Sequence, residues 1–373
     1  MVMVIDGTNG LTFPDTSKQY NSYYNFKNRI INGAMVIDQR NAGAALNAMS
    51  NATYMVDRWG YYATQSGKFN AQQNAGSVTP PAGFKNYLGL TVASAVSVGA
   101  SDRFGIFQAI EGHNMADFGW GTANASAVTI SFPVYSSITG THSGSVTNYA
   151  VTRSYPFTFS VPVANTWTTV SVTIPGDTGG TWVGASNAGA LYLNFNLGAG
   201  SSLSGTAGAW SSSSLWAVTG AVSVVGTNGA TFYITGVQLE KGTQATSFDY
   251  RPYGTELALC QRYYYRNSPG AANRVFAGGQ AFATTAVGIQ VPFPVSMRDR
   301  PTALEQSGTA SDYKVLNSAG SDIACSAVPT FNAATSNIMG WVAMTVASGL
   351  TAGNGTSGLT NSVNGYLGWS AEL

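Results

Sequence analysis

The sequence predicts an all-β protein: an antiparallel jelly roll or β-sandwich, then a second β domain. Three observations carry that prediction. Helical periodicity is almost absent along the chain. Short runs rich in β-branched and aromatic residues recur instead: "AVTISFPVY", "YPFTFSVPV", "WTTVSVTIP", "ALYLNFNLG" and "TFYITGVQLE". Clusters of Gly, Asn, Ser and Pro separate these runs as turns, which is the pattern of many short strands folded back on one another.

Residues 1–28 contain the turn pairs Asp6-Gly7 and Asn9-Gly10 between very short strands. A piece this small needs a partner, so it reads as a docking or trimerising segment. Residues 29–253 hold the largest set of strands. In "TTVSVTIP", Val170, Val172 and Ile174 share one face while Ser171 and Thr173 share the other. In "LYLNFNL", Leu191, Leu193, Phe195 and Leu197 do the same. Residues 254–267 read as a connecting helix, capped by Thr255 with Glu256 in its first turn, running into a tyrosine-rich strand. Arg251, Arg262 and Arg266 are expected at the seam, bonded to carbonyls and packed on tyrosines. Residues 268–373 form the second β domain. Its clearest strand alternates Val287, Ile289, Val291, Phe293, Val295 and Met297, with Pro292 and Pro294 on the other face, which predicts an edge strand or a bulge.

Charge is the unusual quantity. Soluble domains average about 25 % Asp, Glu, Lys and Arg; this chain has 9 % and a net charge of +1. Its surface is therefore built of hydroxyls, amides and backbone, and it lacks the basic excess that nucleic-acid binding requires. Cys260 and Cys325 form no metal-ligand spacing, and a reducing place of synthesis is expected. "MVMVIDGTNG" has neither a basic start nor an apolar core, so no signal peptide is expected. No run approaches the ~18 apolar residues of a membrane span, so membrane insertion is not expected either.

Glycan binding needs aromatic faces for sugar C–H surfaces and polar groups for hydroxyls. Trp59 and Trp167 read as core. Trp210 and Trp216, flanking "SSSSL", and Trp182, in "DTGGTWVG", are the glycan-contact candidates, expected to be better exposed. No compact Trp–Asp–Asn cluster is legible. Glycoside hydrolysis would need two carboxylates across a cleft. Asp102, Glu111, His113 and Asp117 form the densest such group, and they read as a loop that orders itself by hydrogen bonding. With His113 and His142 alone, histidine metal sites and serine-type triads have almost no material. Asp38 and Glu240 could hold a structural calcium, but neither is assigned as a ligand. The expectation is a non-enzyme without a cofactor.

"NRIINGAMVIDQRN", "VDRWGYY", "KFNAQQNAGSVTPPAGFKNYLGLTV" and "TFYITGVQLEKGTQATSFDYRPYGTELALCQRYYYR" together resemble the carbohydrate-binding-module-like domain of bacteriophage tail-fibre and related virion proteins. The likeness covers residues 1–266 closely, and "VPFPVSMRDRPT" is similar to the start of fibre tip domains. The resemblance implies a homotrimeric virion component, assembled in the cytoplasm of the infected bacterium. It would dock to other virion proteins through its N-terminal segment and attach the particle to a host-surface polysaccharide. The alternative is a capsid-decorating protein or head fibre with a purely structural role. Low charge suits three-fold assembly independently, because copies packed around one axis bring like charges together three at a time.

Overall fold

A computed structural model describes residues 26–373, together with the backbones of three short paired strands, Val4–Asp6, Gly10–Thr12 and Lys18–Gln19. The docking segment expected at residues 1–28 lies almost wholly outside the described side chains.

The sandwich is built from eleven strands: β1 (Gly60–Ala63), β2 (Phe69–Gln73), β3 (Leu88–Val92), β4 (Arg103–Glu111), β5 (Val128–Ser136), β6 (Gly140–Asn148), β7 (Ser154–Val161), β8 (Thr168–Ile174), β9 (Gly189–Ala199), β10 (Thr231–Ile234) and β11 (Gln238–Lys241). One antiparallel sheet runs β7-β6-β9-β4-β1. The other runs β8-β5-β10-β3-β2, with β11 beside β10 along the same edge of β5. The two-residue alternation of the sequence decides what lies between them. Leu191, Leu193, Phe195 and Leu197 point inward from β9, and Val128, Ile130, Phe132 and Val134 point inward from β5, all buried. Phe132 meets Phe159 and Phe195 edge-on at 5.1 and 4.9 Å. Each such side chain contributes roughly 1.5–3 kcal/mol by leaving water. On β8, Val170 and Ile174 are buried while Ser171 and Thr173 face out.

Trp59 is fully buried, its indole N–H donating to the Asn32 carbonyl at 3.1 Å. Trp167, expected in the core, instead joins a satellite cluster with Tyr87, Tyr135 and Tyr233, and it donates to the Thr79 carbonyl. The reason is register: Trp167 precedes β8 and escapes its inward face.

α1 (Tyr253–Gln261) follows the sandwich. Thr255 does not cap it. Pro252 holds the cap position, and its carbonyl accepts the N–H groups of Thr255 and Glu256. Glu256 does lie in the first turn, paired with Arg251. The C-terminal unit comprises β12 (Tyr264–Asn267), β13 (Val275–Ala283), β14 (Ala286–Pro292), β15 (Tyr313–Leu316), β16 (Met339–Thr345), β17 (Gly355–Thr360) and β18 (Leu367–Ser370). β15, β17, β13, β14 and β16 lie side by side in one sheet, and β12 pairs with β18 in another. β14 is therefore an interior strand, not the expected edge. Nor does the expected bulge fall at the prolines: pairing with β16 is unbroken from Ala286 to Pro292, the last residue of β14, and Pro294 lies beyond it, after Phe293 N–H has donated to the Ile338 carbonyl.

The seam joins the two units with charge. Arg251 donates to the Ile30 carbonyl, Arg262 pairs with Glu111, and Arg266 donates to the Arg40 carbonyl while its guanidinium stacks 3.6 Å from the Tyr366 ring. Glu372 reaches back from the C-terminal unit to Arg58 and Arg40 of the sandwich. Leu373 packs with Ile31, Ile37, Cys260 and Tyr263.

His142 is buried on β6, ring-stacked 5.6 Å from Phe159, with Nε2 bonded to the Ile138 carbonyl at 2.9 Å and Nδ1 unpartnered. Burial lowers its pKa, partly offset by the Ile138 bond. The unfolded chain therefore takes a proton at its ordinary pKa of about 6.5, and the folded chain only at lower pH. Stability should fall as pH drops through 6.5, by at most about 1.4 kcal/mol per pH unit. Urea midpoints between pH 7 and 5 should show this slope, and His142→Gln should flatten it. An equal slope in the variant would assign it to other groups.

Candidate aromatic site on the five-stranded sheet

The sheet β7-β6-β9-β4-β1 buries one face in the sandwich core. Its other face follows from the same alternation. β6 contributes Ser143, Ser145 and Thr147, β9 contributes Tyr192, Asn194 and Asn196, β4 contributes Arg103, Gly105 and Phe107, and β1 contributes Gly60 and Tyr62. Asn194 donates to Ser145 and Asn196 to Ser143, each at 3.3 Å. The result is an amide–hydroxyl ladder across neighbouring strands. The Asn194 Oδ1, the Thr147 Oγ1 and the Tyr62 hydroxyl are buried without partners. Burial holds the Tyr62 phenol protonated far above its usual range.

A band of aromatic rings crosses this face. Tyr149 stacks on Tyr192 at 4.8 Å, Tyr192 meets Phe107 at 5.5 Å, and Phe107 meets Tyr54 and Tyr62 at 6.2 and 6.1 Å. Tyr62 then meets Trp216 at 4.8 Å. Tyr54, Phe107, Tyr149 and Tyr192 are half-buried, so part of each ring meets solvent. The rings are seated on glycines. A Cβ at Gly60 would stand 2.4 Å from Phe107, one at Gly105 2.3 Å from the Tyr62 hydroxyl, and one at Gly189 2.3 Å from Tyr149. Glycine opposite an aromatic lets the ring lie flat on the neighbouring strand.

The segment 200–223 folds over the β6 end of the face. Ser204–Gly205 pairs with Ala217–Val218, and Val218 N–H donates to Ser143. A cavity of about 200 Å³ lies under it, lined by Asn196, Ala199, Ser201, Ser204, Thr219 and Ser223 among others.

The three tryptophans singled out from the sequence separate here. Trp216, expected to be exposed, is buried at 5 %, because the fold-over turns it onto Tyr62 and Arg103. Trp182 and Trp210 come together with Trp120, at 4.7 and 5.2 Å from it and 5.6 Å from each other. Both are half-buried, and their N–H groups are committed to the Asp177 carboxylate and the Pro175 carbonyl. Burial alone would raise the Asp177 carboxyl, but bonds from Arg153, Trp182 and the Gly179 N–H outweigh it and hold it below its usual range. The band residues Tyr54, Phe107, Tyr149 and Tyr192 were not singled out from the sequence. The signal that would have found them is the pairing of glycines with aromatics on facing strands.

The acidic candidates disperse. Asp102 accepts from Thr64, Gln65 and Gly99; Glu111 is held by Arg262 and Tyr263; Asp117 pairs with Arg29 and Lys241. Asp38 accepts the N–H groups of Asn41 and Gly43, and Glu240 accepts from Gln238 and Thr246. No group of three His, Cys, Asp or Glu able to hold a metal occurs among the described residues. A second cavity, about 400 Å³, lies between Gly33, Phe84, Tyr250, Tyr253 and Glu256 near the seam. Phe84, Phe248 and Tyr250 there pack on one another at 4.8 to 5.6 Å.

No protein-family model matches the chain, and no curated protein matches it. Several solved structures are similar to it. The enzymatically active domain of tailspike protein 4 from bacteriophage CBA120 is 13 % identical over 52 % of this chain, with a TM-score of 0.30; the match spans 21 % of that chain, about a fifth of its length. The family 11 carbohydrate-binding module of Clostridium thermocellum, in complex with a β-1,3-1,4-mixed-linked tetrasaccharide, is 12 % identical over 53 % of this chain and 97 % of its own, with a TM-score of 0.28. The CBM22-1 and GH10 modules of the Clostridium thermocellum endo-1,4-β-D-xylanase 10B, complexed with xylohexaose, are 13 % identical over 58 % of this chain and 32 % of theirs, with a TM-score of 0.26.

Proposed function

We propose that the chain is a non-catalytic glycan-binding subunit of a bacteriophage tail fibre or fibre tip, acting as a homotrimer that attaches the particle to host polysaccharide. The observation that carries the reading is the aromatic band beside the amide–hydroxyl ladder. Ring faces take the C–H side of a sugar, and the half-buried rings of Tyr54, Phe107, Tyr149 and Tyr192 are the part of the band a ligand reaches, while the Asn194, Thr147 and Tyr62 oxygens lie buried in the sheet beneath. The acids available for hydrolysis are each engaged within the fold, which supports binding over bond cleavage. The resemblance of its motifs to those of virion proteins and the near-neutral, ion-poor surface support the particle role and the three-fold assembly. Weak contacts at each copy would be multiplied by trimer and particle valency.

The test is binding of the purified chain to host cells and to polysaccharide extracted from them. Binding should be lost after periodate oxidation of the glycans, and Tyr192→Ala should weaken it about tenfold to a hundredfold, the range of a central aromatic contact. Light scattering should give a mass near three times 38.8 kDa. Binding that survives periodate, or a Tyr192→Ala variant that binds like wild type, overturns the glycan reading. Labelled electron microscopy that finds the subunit on the capsid would favour the structural alternative.

A further inference from the structure

We infer that the band reads an acidic glycan, with Arg103 as the residue that recognises its anionic substituent. The inference rests on the glycan-binding reading above and adds the charge class of the sugar.

Arg103 opens β4 on the band's own face, its guanidinium 4.1 Å from the Trp216 ring centre and 5.5 Å from that of Tyr62. Those two rings hold it in place by their π faces. Its backbone is engaged with Thr64, but its guanidinium meets no carboxylate and no carbonyl among the described residues. This sets it apart. Each of the other half-buried arginines (Arg29, Arg40, Arg153, Arg251, Arg262, Arg266 and Arg298) gives its guanidinium to a carboxylate or a backbone carbonyl. In a chain with 17 basic and 16 acidic residues, a guanidinium held on two rings with no carboxylate beside it is left free to meet an anionic group from outside.

The neighbouring acids do not supply it. Asp102 is adjacent in sequence, yet its carboxylate is occupied by Thr64, Gln65 and the Gly99 N–H. Glu111 shares the outward face of β4 but lies eight positions away, about 26 Å at ~3.3 Å per residue, and is held by Arg262 and Tyr263. The residue paired with Arg103 across the sheet is Ala199, which lines the hydroxyl-rich cavity under the fold-over. Positive charge, flat rings and neutral hydroxyls thus adjoin one another at this end of the band. A guanidinium presents a planar fork that matches a carboxylate or a phosphate. The ligand this combination fits is a saccharide carrying one such group: a uronic-type sugar or a sugar phosphate.

The experiment uses the full chain against a panel of bacterial capsular polysaccharides and lipopolysaccharides. Each is presented in three forms: native, carboxyl-reduced, and dephosphorylated with hydrogen fluoride. Wild type should prefer a native anionic polysaccharide about tenfold over its neutralised form, equal to about 1.4 kcal/mol. Which treatment removes the preference identifies carboxylate or phosphate. Arg103→Gln should bring the ratio of native to neutralised affinity to about one, and Arg103→Lys should keep part of the preference. If wild type binds native and neutralised forms equally, the acidic assignment is wrong and glycan binding stands. If Arg103→Gln weakens both forms alike, Arg103 only props Trp216 and the assignment again fails. Binding to no form of any polysaccharide overturns both readings.

Discussion

Glu372→Ala is expected to destabilise the protein by about 3–5 kcal/mol, the cost of removing one partner from a buried ion pair. The Arg58 side chain is 1 % exposed and that of Glu372 5 % exposed. The guanidinium lies 3.5 Å from the Tyr263 ring centre and donates to the Ala109 carbonyl at 2.6 Å, so it has no route to water when its carboxylate is gone. Burial already pushes the Arg58 pKa down. The pair also crosses the seam, since Arg58 precedes β1 of the sandwich and Glu372 follows β18 of the C-terminal unit. Calorimetry should therefore show one cooperative transition in wild type and two separated transitions in the variant. A double change, Arg58→Met with Glu372→Leu, should recover much of the loss, because well-packed apolar residues often replace a buried pair without penalty. A loss below about 1 kcal/mol in Glu372→Ala would mean that water or a shifted Arg40 takes over the charge.

How far the sequence discloses this architecture depends on how local each signal is. The inward faces of β8 and β9 were legible because alternation is written within seven to eleven consecutive residues. The seam arginines were legible because cations are rare enough in this chain for their concentration among tyrosines to stand out. Thr255 misled because Pro252, three positions earlier, took the cap position, and capping preference does not say at which of two nearby residues the chain turns. β14 was given an edge or a bulge because Pro292 reads as a broken ladder until the strand's end is known. Of the aromatic band only Trp216 was singled out from the sequence, and the band itself was not legible. Gly60 faces Phe107, and Tyr62 faces Gly105, only through the register of β1 against β4, across more than forty intervening residues. Trp216 was expected outside because serine-rich sequence reads as exposed loop; its burial depends on the fold-over docking against Ser143 and Ser154.

That register supports the second large expected effect. Gly60→Ala and Gly189→Ala, combined, should cost more than a hundredfold in glycan affinity while leaving the protein folded. In both, the new Cβ would collide with a ring and not with the backbone: Phe107 at 2.4 Å and Tyr149 at 2.3 Å. A ring can swing away, so the stability loss should stay near the ~1–3 kcal/mol of ordinary overpacking. The swing, however, lifts the rings on either side of Tyr192 out of the band, and a central aromatic platform carries a disproportionate share of binding energy. Gly105→Ala tests the same face with the opposite outcome. Its Cβ would stand 2.5 Å from the Phe195 carbonyl oxygen as well as against Tyr62, and a backbone carbonyl in mid-sheet has nowhere to go. That variant should fail to fold or should melt far below wild type. Gly254→Ala on α1 meets nothing within 4 Å, so it should keep both affinity and stability. If the Gly60/Gly189 double variant folds and binds as tightly as wild type, flatness of the band is irrelevant to recognition. The rings would then serve only to pack the outer face of the sheet.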